Sequence, residues 1–472
     1  MPSNLCPFCA RGVLKICFAM AYLGITVSAF AQVEVINEDI KLVPDNGLAF
    51  DITGWSIAID NGIVVVGAQG SNHQDEGSDS GSAYLFDAFT GVTLHKLLSD
   101  DGSRNDTFGL SVAIDGGYVV VGAPRDDDNG TNSGSAYLFE VATGMQVLKF
   151  LPNDGAALDE FGHSVAIENG VVAVGAPKSD GFGSNSGSVY LFDIETGNQL
   201  RKIVPSFGSA GDYFGVSIAL SNGILAVGSP GDNDSGVNSG SVYIYSIHSK
   251  GIDSDNYIKG KATEIYPEDA SPNNFFGRSV ALENEKLVVG SLLDYMKDAI
   301  HSCVYVFDWE LPSQVLKIIP DDKELNDWFG WQVALSGDYL VAGSAQDGDG
   351  GFRTGSAYIY DVNTGSVVFK LLPSDGTTND SFGTSVDIEN DTVVVGSPYN
   401  PEIAPFAGAA YVFDLVNCQS DMNGDGVLDF FDISMFLAAF ASGDLVVDFD
   451  GNGVLDFFDI SIFLTEFSKG CS

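Results

Sequence analysis

The stretch TFGLSVAIDGGYVVVGAP, residues 107–124, is the key to the architecture because it recurs with small changes along most of the 472-residue chain. The other copies are ITGWSIAIDNGIVVVGA (52–68), EFGHSVAIENGVVAVGAP (160–177), YFGVSIALSNGILAVGSP (213–230), FFGRSVALENEKLVVGS (275–291), WFGWQVALSGDYLVAGS (328–344) and SFGTSVDIENDTVVVGSP (381–398). Most copies are spaced by 53 residues, and the fourth is longer. Seven copies of one unit predict a single repeat architecture over this region rather than several unrelated domains.

Each unit has the pattern of four short antiparallel strands. In residues 107–150, SVAI and YVVVG are joined by Gly116-Gly117, and the apolar runs GSAYLFE and QVLKF follow. Three other copies have Asn-Gly at the first turn, a pair that tolerates the positive φ angles of a two-residue hairpin. We therefore predict an all-β fold, a seven-bladed β-propeller, in which the continuous valine-rich runs are buried on both faces.

The two ends of the repeat region predict how the ring closes. The last copy ends at AYVFD, residues 410–414, without a fourth strand. EDIKLVPD, residues 38–45, stands alone before the first copy and resembles FKLLPSD, residues 369–375. We expect the N-terminal strand to complete the seventh blade, which would leave the ring without a free edge.

Residues 38–416 resemble the FG-GAP repeats of the integrin alpha-subunit propeller, on the Phe-Gly and Gly-Ala-Pro elements quoted above. The resemblance implies an extracellular recognition propeller of the adhesion type. Its ligands are expected on the face built from the loops between strands 2 and 3 and between strand 4 and the next strand 1. The family's calcium loop lies between strands 1 and 2, but here that connection is as short as Asp115-Gly116-Gly117, so those calcium sites are not carried over.

Acidic residues are instead concentrated in the loops of that expected face. They are Asp126, Asp127, Asp128, Asn129, Asp232, Asn233, Asp234, Asp347 and Asp349 in strand 2–3 loops, and Asp100, Asp101, Asp154, Asp159, Asp321 and Asp322 in strand 4–1 loops. One interpretation is solvated turns, since Asp and Asn favour turns. The other is an acidic face that binds divalent cations or a cationic partner.

The N-terminal segment predicts export. Residues 1–31 contain no acidic residue, carry Arg11 and Lys15, and run through an apolar stretch to Ala29-Phe30-Ala31. This is the pattern of a signal peptide, with a mature chain that begins at Gln32. We therefore expect a secreted, extracellular or cell-surface protein without a membrane span. In an oxidising compartment Cys418 and Cys471 could form a disulfide, which would leave Cys303 as a buried thiol.

Two loops near the C-terminus have the spacing of calcium sites. They are DMNGDGVLDFFD (421–432) and DFDGNGVLDFFD (448–459). The predicted ligands are Asp421, Asn423, Asp425, Val427, Asp429 and Asp432 in the first loop, and Asp448, Asp450, Asn452, Val454, Asp456 and Asp459 in the second. Calcium takes six or more oxygen ligands around a sharp glycine turn, with the two valines supplying backbone carbonyls. The sequence predicts two Ca²⁺ ions.

After each loop, apolar residues recur at helical spacing: Ile433, Phe436, Leu437 and Phe440, and then Ile460, Phe463, Leu464 and Phe467. This duplicated loop and helix make residues 418–472 similar to a type I dockerin domain. The resemblance implies calcium-dependent attachment to a cohesin-like or other surface receptor. The pairs Phe430-Phe431 and Phe457-Phe458 depart from the small or polar residues of cohesin-binding dockerins. They would dock on another receptor or on the propeller, or simply fill the core.

The net charge of the chain and its sequence motifs limit the classes of function that we expect. With 21 basic and 64 acidic residues the chain has a formal charge of -43, which argues against a nucleic-acid or anionic-membrane partner. No catalytic motif is recognisable. We therefore expect a signal peptide (1–31), a non-catalytic propeller (32–417) that binds an extracellular glycan or protein, and a calcium-dependent attachment module (418–472). The alternatives are a carbohydrate-active propeller enzyme carried by a dockerin and a structural envelope protein.

Overall fold

Seven antiparallel sheets follow one another along the chain in the computed structural model of the protein. The structure describes residues 33–45, 47–72, 79–205, 208–247, 262–292, 302–311, 313–322, 324, 326–415, 420, 422, 428–443, 445–447, 449 and 454–469. The predicted signal peptide, residues 1–31, lies outside them. Residues 36–413 form one unit that contains nearly all of the strands, and the residues before and after it are assigned to a second unit.

The strands are short and regular. The N-terminal strands are β1 (Glu34–Ile36) and β2 (Ile40–Leu42). Blades one to three contain β3 (Thr53–Asp60), β4 (Ile63–Ala68), β5 (Ser82–Asp87), β6 (Thr93–Leu97), β7 (Ser111–Asp115), β8 (Tyr118–Ala123), β9 (Ser135–Glu140), β10 (Gln146–Phe150), β11 (Ser164–Glu168), β12 (Val171–Ala176), β13 (Ser188–Asp193) and β14 (Gln199–Ile203). Blades four to seven contain β15 (Ser217–Ser221), β16 (Ile224–Ser229), β17 (Ser241–Ser246), β18 (Thr263–Ile265), β19 (Ser279–Glu283), β20 (Lys286–Ser291), β21 (Cys303–Asp308), β22 (Ser313–Ile318), β23 (Phe329–Ser336), β24 (Tyr339–Ser344), β25 (Ser356–Asp361), β26 (Val367–Leu371), β27 (Ser385–Glu389), β28 (Thr392–Ser397) and β29 (Ala409–Asp414).

The sheet order confirms a seven-bladed propeller closed by the N-terminal strand. Blades one to six each use four consecutive strands, and blade seven has the order β2-β29-β28-β27. In that blade Leu42 lies opposite Ala410 and Ile40 lies opposite Val412. First strands of neighbouring blades contact one another around the ring, and β27 against β3 closes it. The sequence did not predict β1, which adds a fifth strand to blade six.

The second strand of each blade is buried on both faces, as predicted. Val64, Val65 and Val66 are all completely buried. The preceding hairpin turn has the expected positive φ angles, 50° at Asn61 and 70° at Gly62. A two-residue turn of this kind is twisted in the same sense as the strands it joins.

Neighbouring blades approach each other most closely where two glycines meet. A Cβ atom added to Gly122 in β8 would lie 2.0 Å from the carbonyl oxygen of Gly162, which starts the next blade. Gly162 itself has a φ of +91°. The same contact recurs between Gly67 and Gly109, Gly175 and Gly215, Gly228 and Gly277, Gly290 and Gly330, Gly343 and Gly383, and Gly396 and Gly54. The two glycines of the repeated motif are therefore needed for backbone contact between blades.

The phenylalanine of the repeated motif packs at the same interface. Phe161 is completely buried, and its ring lies edge-on against Tyr190 at 5.5 Å and Phe192 at 5.8 Å. Its backbone N–H donates to the Ser133 carbonyl of the preceding blade at 3.0 Å. Ring packing and main-chain hydrogen bonding therefore hold the two blades together at one point.

The C-terminal unit contains two α-helices, α1 (Phe430–Ser442) and α2 (Phe457–Lys469), with a 3₁₀ turn at Leu445–Val447. Phe436 of α1 stacks on Phe463 of α2 with ring centroids 4.0 Å apart. Gly443 ends α1 in a left-handed conformation. Neither helix of this described part is long and apolar enough to cross a membrane.

Closure by the N-terminal strand gives the first prediction. Leu42 is completely buried in the core shared by blades one and seven, so Leu42→Ala should lower the free energy of unfolding by about 2–5 kcal/mol. Chemical denaturation followed by fluorescence measures this. The control is Leu48→Ala, because Leu48 is 55% exposed and should change stability by no more than about 0.5 kcal/mol. Equal effects of the two substitutions would contradict closure by β2.

Candidate functional site

Described loops at one face of the propeller are joined across blade boundaries, and we call this face the loop face. It consists of the strand 2–3 loops and the strand 4–1 loops. Backbone hydrogen bonds link the two kinds of loop across blade boundaries: Leu158 donates to Thr131 at 2.8 Å, and Asn379 donates to Phe352 at 3.0 Å. The face predicted to bind ligands is therefore held in place by its own main chain.

The loop face exposes large apolar side chains. Phe352 is 66% exposed, Phe50 56% and Phe182 51%. Phe406 packs against Phe50 with ring centroids 5.6 Å apart, and both remain open to solvent. Apolar groups concentrated on a polar surface are typical of interaction sites.

A cleft of about 470 Å³ opens on blade six of this face. Its lining includes Glu324, Trp328, Phe352 and Arg353. The Arg353 guanidinium lies 5.1 Å from the Phe352 ring centroid, and Trp328 stacks on Trp331 at 4.8 Å. Asp327 also lines the cleft, which therefore combines two aromatic surfaces with one basic and two acidic side chains.

Several of the predicted acidic loop residues are buried and paired with lysine. Asp126 is 3% exposed, and its Oδ2 accepts hydrogen bonds from Tyr137 at 2.6 Å and Lys149 at 3.1 Å. Lys149 also contacts Asp128 at 2.6 Å and Asp101 at 2.7 Å. For Asp126 the interpretation as a solvated turn is wrong, because its carboxylate is buried against a lysine ammonium, whereas Asp101 and Asp128 are exposed.

Blade six repeats this arrangement. Lys370 lies 3.0 Å from Asp347, 2.5 Å from Asp349 and 2.8 Å from Asp322. Burial alone would raise the pKa of the Asp347 carboxyl, but Lys370 and the hydrogen bond from Ser356 hold it below its ordinary value. We call each such group a Lys–Tyr–Asp cluster, since Tyr358 also donates to Asp347 at 3.0 Å.

Asp106, Asp212 and Asp327, which the sequence analysis did not name, form a second set of buried or half-buried carboxylates. Burial raises the pKa of Asp106 to about 7, and the pKa values of Asp212 and Asp327 to about 6. The backbone N–H of Ser103 donates to Asp106 at 2.6 Å. Each of these aspartates stands two residues before the phenylalanine of the repeated motif, a spacing that the sequence already contained.

The C-terminal loops are described only in part. Asp421, Asn423, Asp425, Val427, Asp448, Asp450 and Asn452 lie outside the described residues, as do Cys418 and Cys471. The remaining five predicted ligands are Asp429, Asp432, Val454, Asp456 and Asp459. Cys303 is 2% exposed, in agreement with the expectation of a buried thiol.

The described ligand positions repeat the same geometry in both loops. Asp432 and Asp459 are completely buried, one in the first turn of each helix. Asp432 accepts from the backbone N–H groups of Met422 at 2.9 Å and Asp429 at 2.8 Å. Asp459 accepts from the N–H of Asp456 at 2.7 Å. The equivalent carboxylates of the two loops therefore point away from solvent.

The paired phenylalanines that precede these buried carboxylates lie on the surface. Phe430 is 74% exposed and Phe431 65%, while Phe457 is 73% exposed and Phe458 64%. The interpretation that these four rings fill the core of the module is therefore wrong. Phe436, Phe463 and Val447 form that core instead.

The buried Asp106 gives a prediction for pH dependence. Its pKa of about 7 in the folded protein exceeds that of an unfolded aspartate, so the folded state binds more protons between about pH 4 and pH 7. Stability from this group is therefore lost as pH rises through that window. In Asp106→Asn the free energy of unfolding should fall less steeply with pH, by at most about 1.4 kcal/mol per pH unit, because only one proton is involved.

Urea unfolding of both proteins at several pH values tests this expectation. Asparagine is a suitable replacement because its side-chain oxygen can accept the Ser103 hydrogen bond, and blade five already has Asn274 at the equivalent position. The control is Asp100→Asn, which replaces an exposed carboxylate. Parallel pH profiles for wild type and Asp106→Asn would contradict a raised pKa.

Comparison with known families agrees with this geometry. The FG-GAP repeat matches residues 36–86, 92–139, 145–192, 198–245, 260–307, 312–360 and 366–413. Each match covers most of one blade and begins at or before a fourth strand. No curated protein matches the chain. Since the seven matches together cover well over half of its length, the chain belongs to the FG-GAP repeat family.

Proposed function

We propose that this protein is a secreted, non-catalytic binding protein. Its propeller recognises an extracellular glycan or protein through the loop face, and its C-terminal module attaches it to a partner or surface in the presence of calcium. The observation that carries the first part is the aromatic cleft of blade six. The signal-peptide pattern of residues 1–31 supports export, with a mature chain that begins at Gln32.

The cleft suits ligand binding because one of its aromatic groups, Trp328, is held in place before binding. Trp328 stacks on Trp331, and the Arg278 guanidinium lies 4.3 Å from the Trp331 ring centroid. The Lys–Tyr–Asp cluster of blade six fixes the adjacent strand 2–3 loop through Asp347 and Asp349. Rings that lose little freedom on binding contribute more of their contact energy to affinity.

Binding through the loop face can be tested with one pair of substitutions. Ligands would first be identified on an array of glycans and extracellular proteins. Phe352→Ser should weaken the affinity for these ligands about tenfold, the loss expected for a central aromatic contact. The matched control is Phe89→Ser, since Phe89 is 57% exposed but lies beside Gly62 in a strand 1–2 turn. Surface plasmon resonance measures both affinities.

Two outcomes would contradict this proposal. If Phe89→Ser weakened binding as much as Phe352→Ser, the ligand would not be bound by the loop face. If the wild-type protein released sugars from polysaccharides, the alternative of a carbohydrate-active enzyme would be favoured instead.

The buried carboxylates support the calcium part of the proposal. A fully buried carboxylate is costly unless hydrogen bonds and a cation compensate its charge. Asp432 and Asp459 take the last ligand position of two loops whose other predicted side-chain ligands are oxygen donors of the kind that Ca²⁺ prefers. The exposed pairs Phe430-Phe431 and Phe457-Phe458 would then form the contact surface for a receptor that differs from an ordinary cohesin.

Calorimetric titration of the full mature chain with calcium tests the module. Asp432→Asn and Asp459→Asn should each bind about one ion fewer than wild type, because asparagine keeps the shape of the ligand but removes its charge. The double variant should lose two ions. Asp100→Asn, an exposed carboxylate of the propeller, is the control and should leave the stoichiometry unchanged. Unchanged binding by the double variant would contradict the two predicted sites.

A further inference from the structure

The fourth strand of blade four differs from its equivalents in charge. The residue opposite the strand-3 tyrosine is a lysine in six blades: Lys41, Lys96, Lys149, Lys202, Lys317 and Lys370. Each lysine nitrogen lies 4.6–5.2 Å from the centroid of that tyrosine ring. In blade four the residue opposite Tyr243 is Glu264. The ammonium group is therefore replaced by a carboxylate in one blade.

The carboxylates that surround the lysine elsewhere are retained in blade four. Its strand 2–3 loop has Asp232 and Asp234, equivalent to Asp126 and Asp128 of blade two. One oxygen from each of Asp232, Asp234 and Glu264 lies within 4.8 Å of the others. Among the described residues these three form no ion pair with lysine or arginine. Three negative charges thus converge where the sister blades hold a cation.

A fourth, buried carboxylate lies beside this group. Asp212 is 2% exposed; its Oδ2 accepts from the Ser209 N–H at 2.5 Å, and its Oδ1 has no hydrogen-bond partner among the described residues. In blade seven the equivalent Asp380 is 3.4 Å from the side-chain nitrogen of Asn400, the counterpart of Asp232. Asp212 and Asp232 occupy these two equivalent positions in blade four. Burial raises its pKa, and the charges of Asp232 and Asp234 raise it further.

We propose that blade four binds a divalent cation, Ca²⁺, through Asp232, Asp234 and Glu264, in the space that a lysine ammonium occupies in the sister blades. The ion would join the strand 2–3 loop to the fourth strand, as Lys149 and Lys370 do in blades two and six. This site differs from the C-terminal loops, and it lies in a different loop from the strand 1–2 sites of integrin-like propellers.

The donor set suits calcium. Ca²⁺ binds six to eight oxygens at about 2.3–2.6 Å, so two of its ligands lie at most about 5 Å apart, and the three carboxylate oxygens here, all within 4.8 Å of one another, meet that limit. Asp232 is oriented by hydrogen bonds from Ser241 and Tyr243, both at 2.7 Å, and from the Asp234 N–H at 2.9 Å. Water completes the coordination on the exposed side, where Asp234 lies.

Terbium luminescence distinguishes this site from the C-terminal loops. Tb³⁺ replaces Ca²⁺ at oxygen sites and emits when a nearby excited tyrosine or tryptophan transfers energy to it. Tyr243 is hydrogen-bonded to Asp232, whereas residues 418–472 contain no tyrosine or tryptophan. The full mature chain should therefore show saturable emission on tyrosine excitation, and calcium should displace it.

Glu264→Lys restores the residue of the sister blades and should raise the Tb³⁺ concentration needed for half-maximal emission at least tenfold. Because the new ammonium can pair with Asp232 and Asp234, this variant should melt no lower than wild type in the absence of calcium. Asp234→Asn removes one ligand from an exposed position and should also weaken binding. The control is Glu310→Lys, which makes the same charge change at an exposed turn of blade five and should titrate as wild type.

The outcomes separate the two calcium proposals. Emission that is lost in Glu264→Lys but retained in the Asp432→Asn and Asp459→Asn double variant supports the blade-four site, whatever the C-terminal loops bind. If Glu264→Lys and Asp234→Asn both bound Tb³⁺ as tightly as the wild type, the blade-four proposal would be overturned. Emission that disappears in the double variant alone would overturn it as well.

Discussion

Backbone contact between neighbouring blades is the constraint on which the rest of this propeller depends. Gly122 and Gly162 approach so closely that a Cβ atom on either would collide with the main chain of the adjoining blade. This approach allows the Ser111 hydroxyl to donate to the Gly162 carbonyl at 2.8 Å, and it positions Phe161 against its two aromatic neighbours. Because the same glycine contact recurs at seven interfaces, each blade is related to the next in the same way, and the ring closes.

The rigid ring determines the environment of the loop-face carboxylates. A lysine on the fourth strand reaches back over the tyrosine of the third strand to the acidic strand 2–3 loop, as Lys370 does to Asp347. Removing one partner from a buried ion pair leaves the other charge uncompensated, which is strongly destabilising. Blade four keeps Asp232 and Asp234 but has Glu264 where the sister blades have lysine. Another positive charge must therefore compensate these carboxylates, and the proposed cation would supply it. The net charge of the chain does not reveal this difference between blade four and the other blades, because buried, paired carboxylates and exposed carboxylates contribute equally to it.

The C-terminal unit is governed by a different constraint. Its described core is the stack of Phe436 on Phe463 with Val447 beside it, and partly buried apolar residues pack against these three. Units of this size commonly require a disulfide or a metal in addition to their core. Asp432 and Asp459, both completely buried, add charge to this small interior. The proposed calcium ions would add both cohesion and positive charge to this unit.

Repetition in the sequence was enough to predict the seven blades, the Asn-Gly hairpins, the closing strand at Ile40–Leu42 and a helix after each C-terminal loop. These features follow from local patterns, and seven copies reinforce one another. The pairing of Lys149 with Asp126, the exposure of Phe430 and the addition of β1 to blade six emerged only from the fold. They depend on which strands and loops lie side by side, and hydrophobic periodicity does not contain that information. The convergence of Asp232, Asp234 and Glu264 is of the same kind, because 30 residues of chain separate Asp234 from Glu264 and only the blade brings them together.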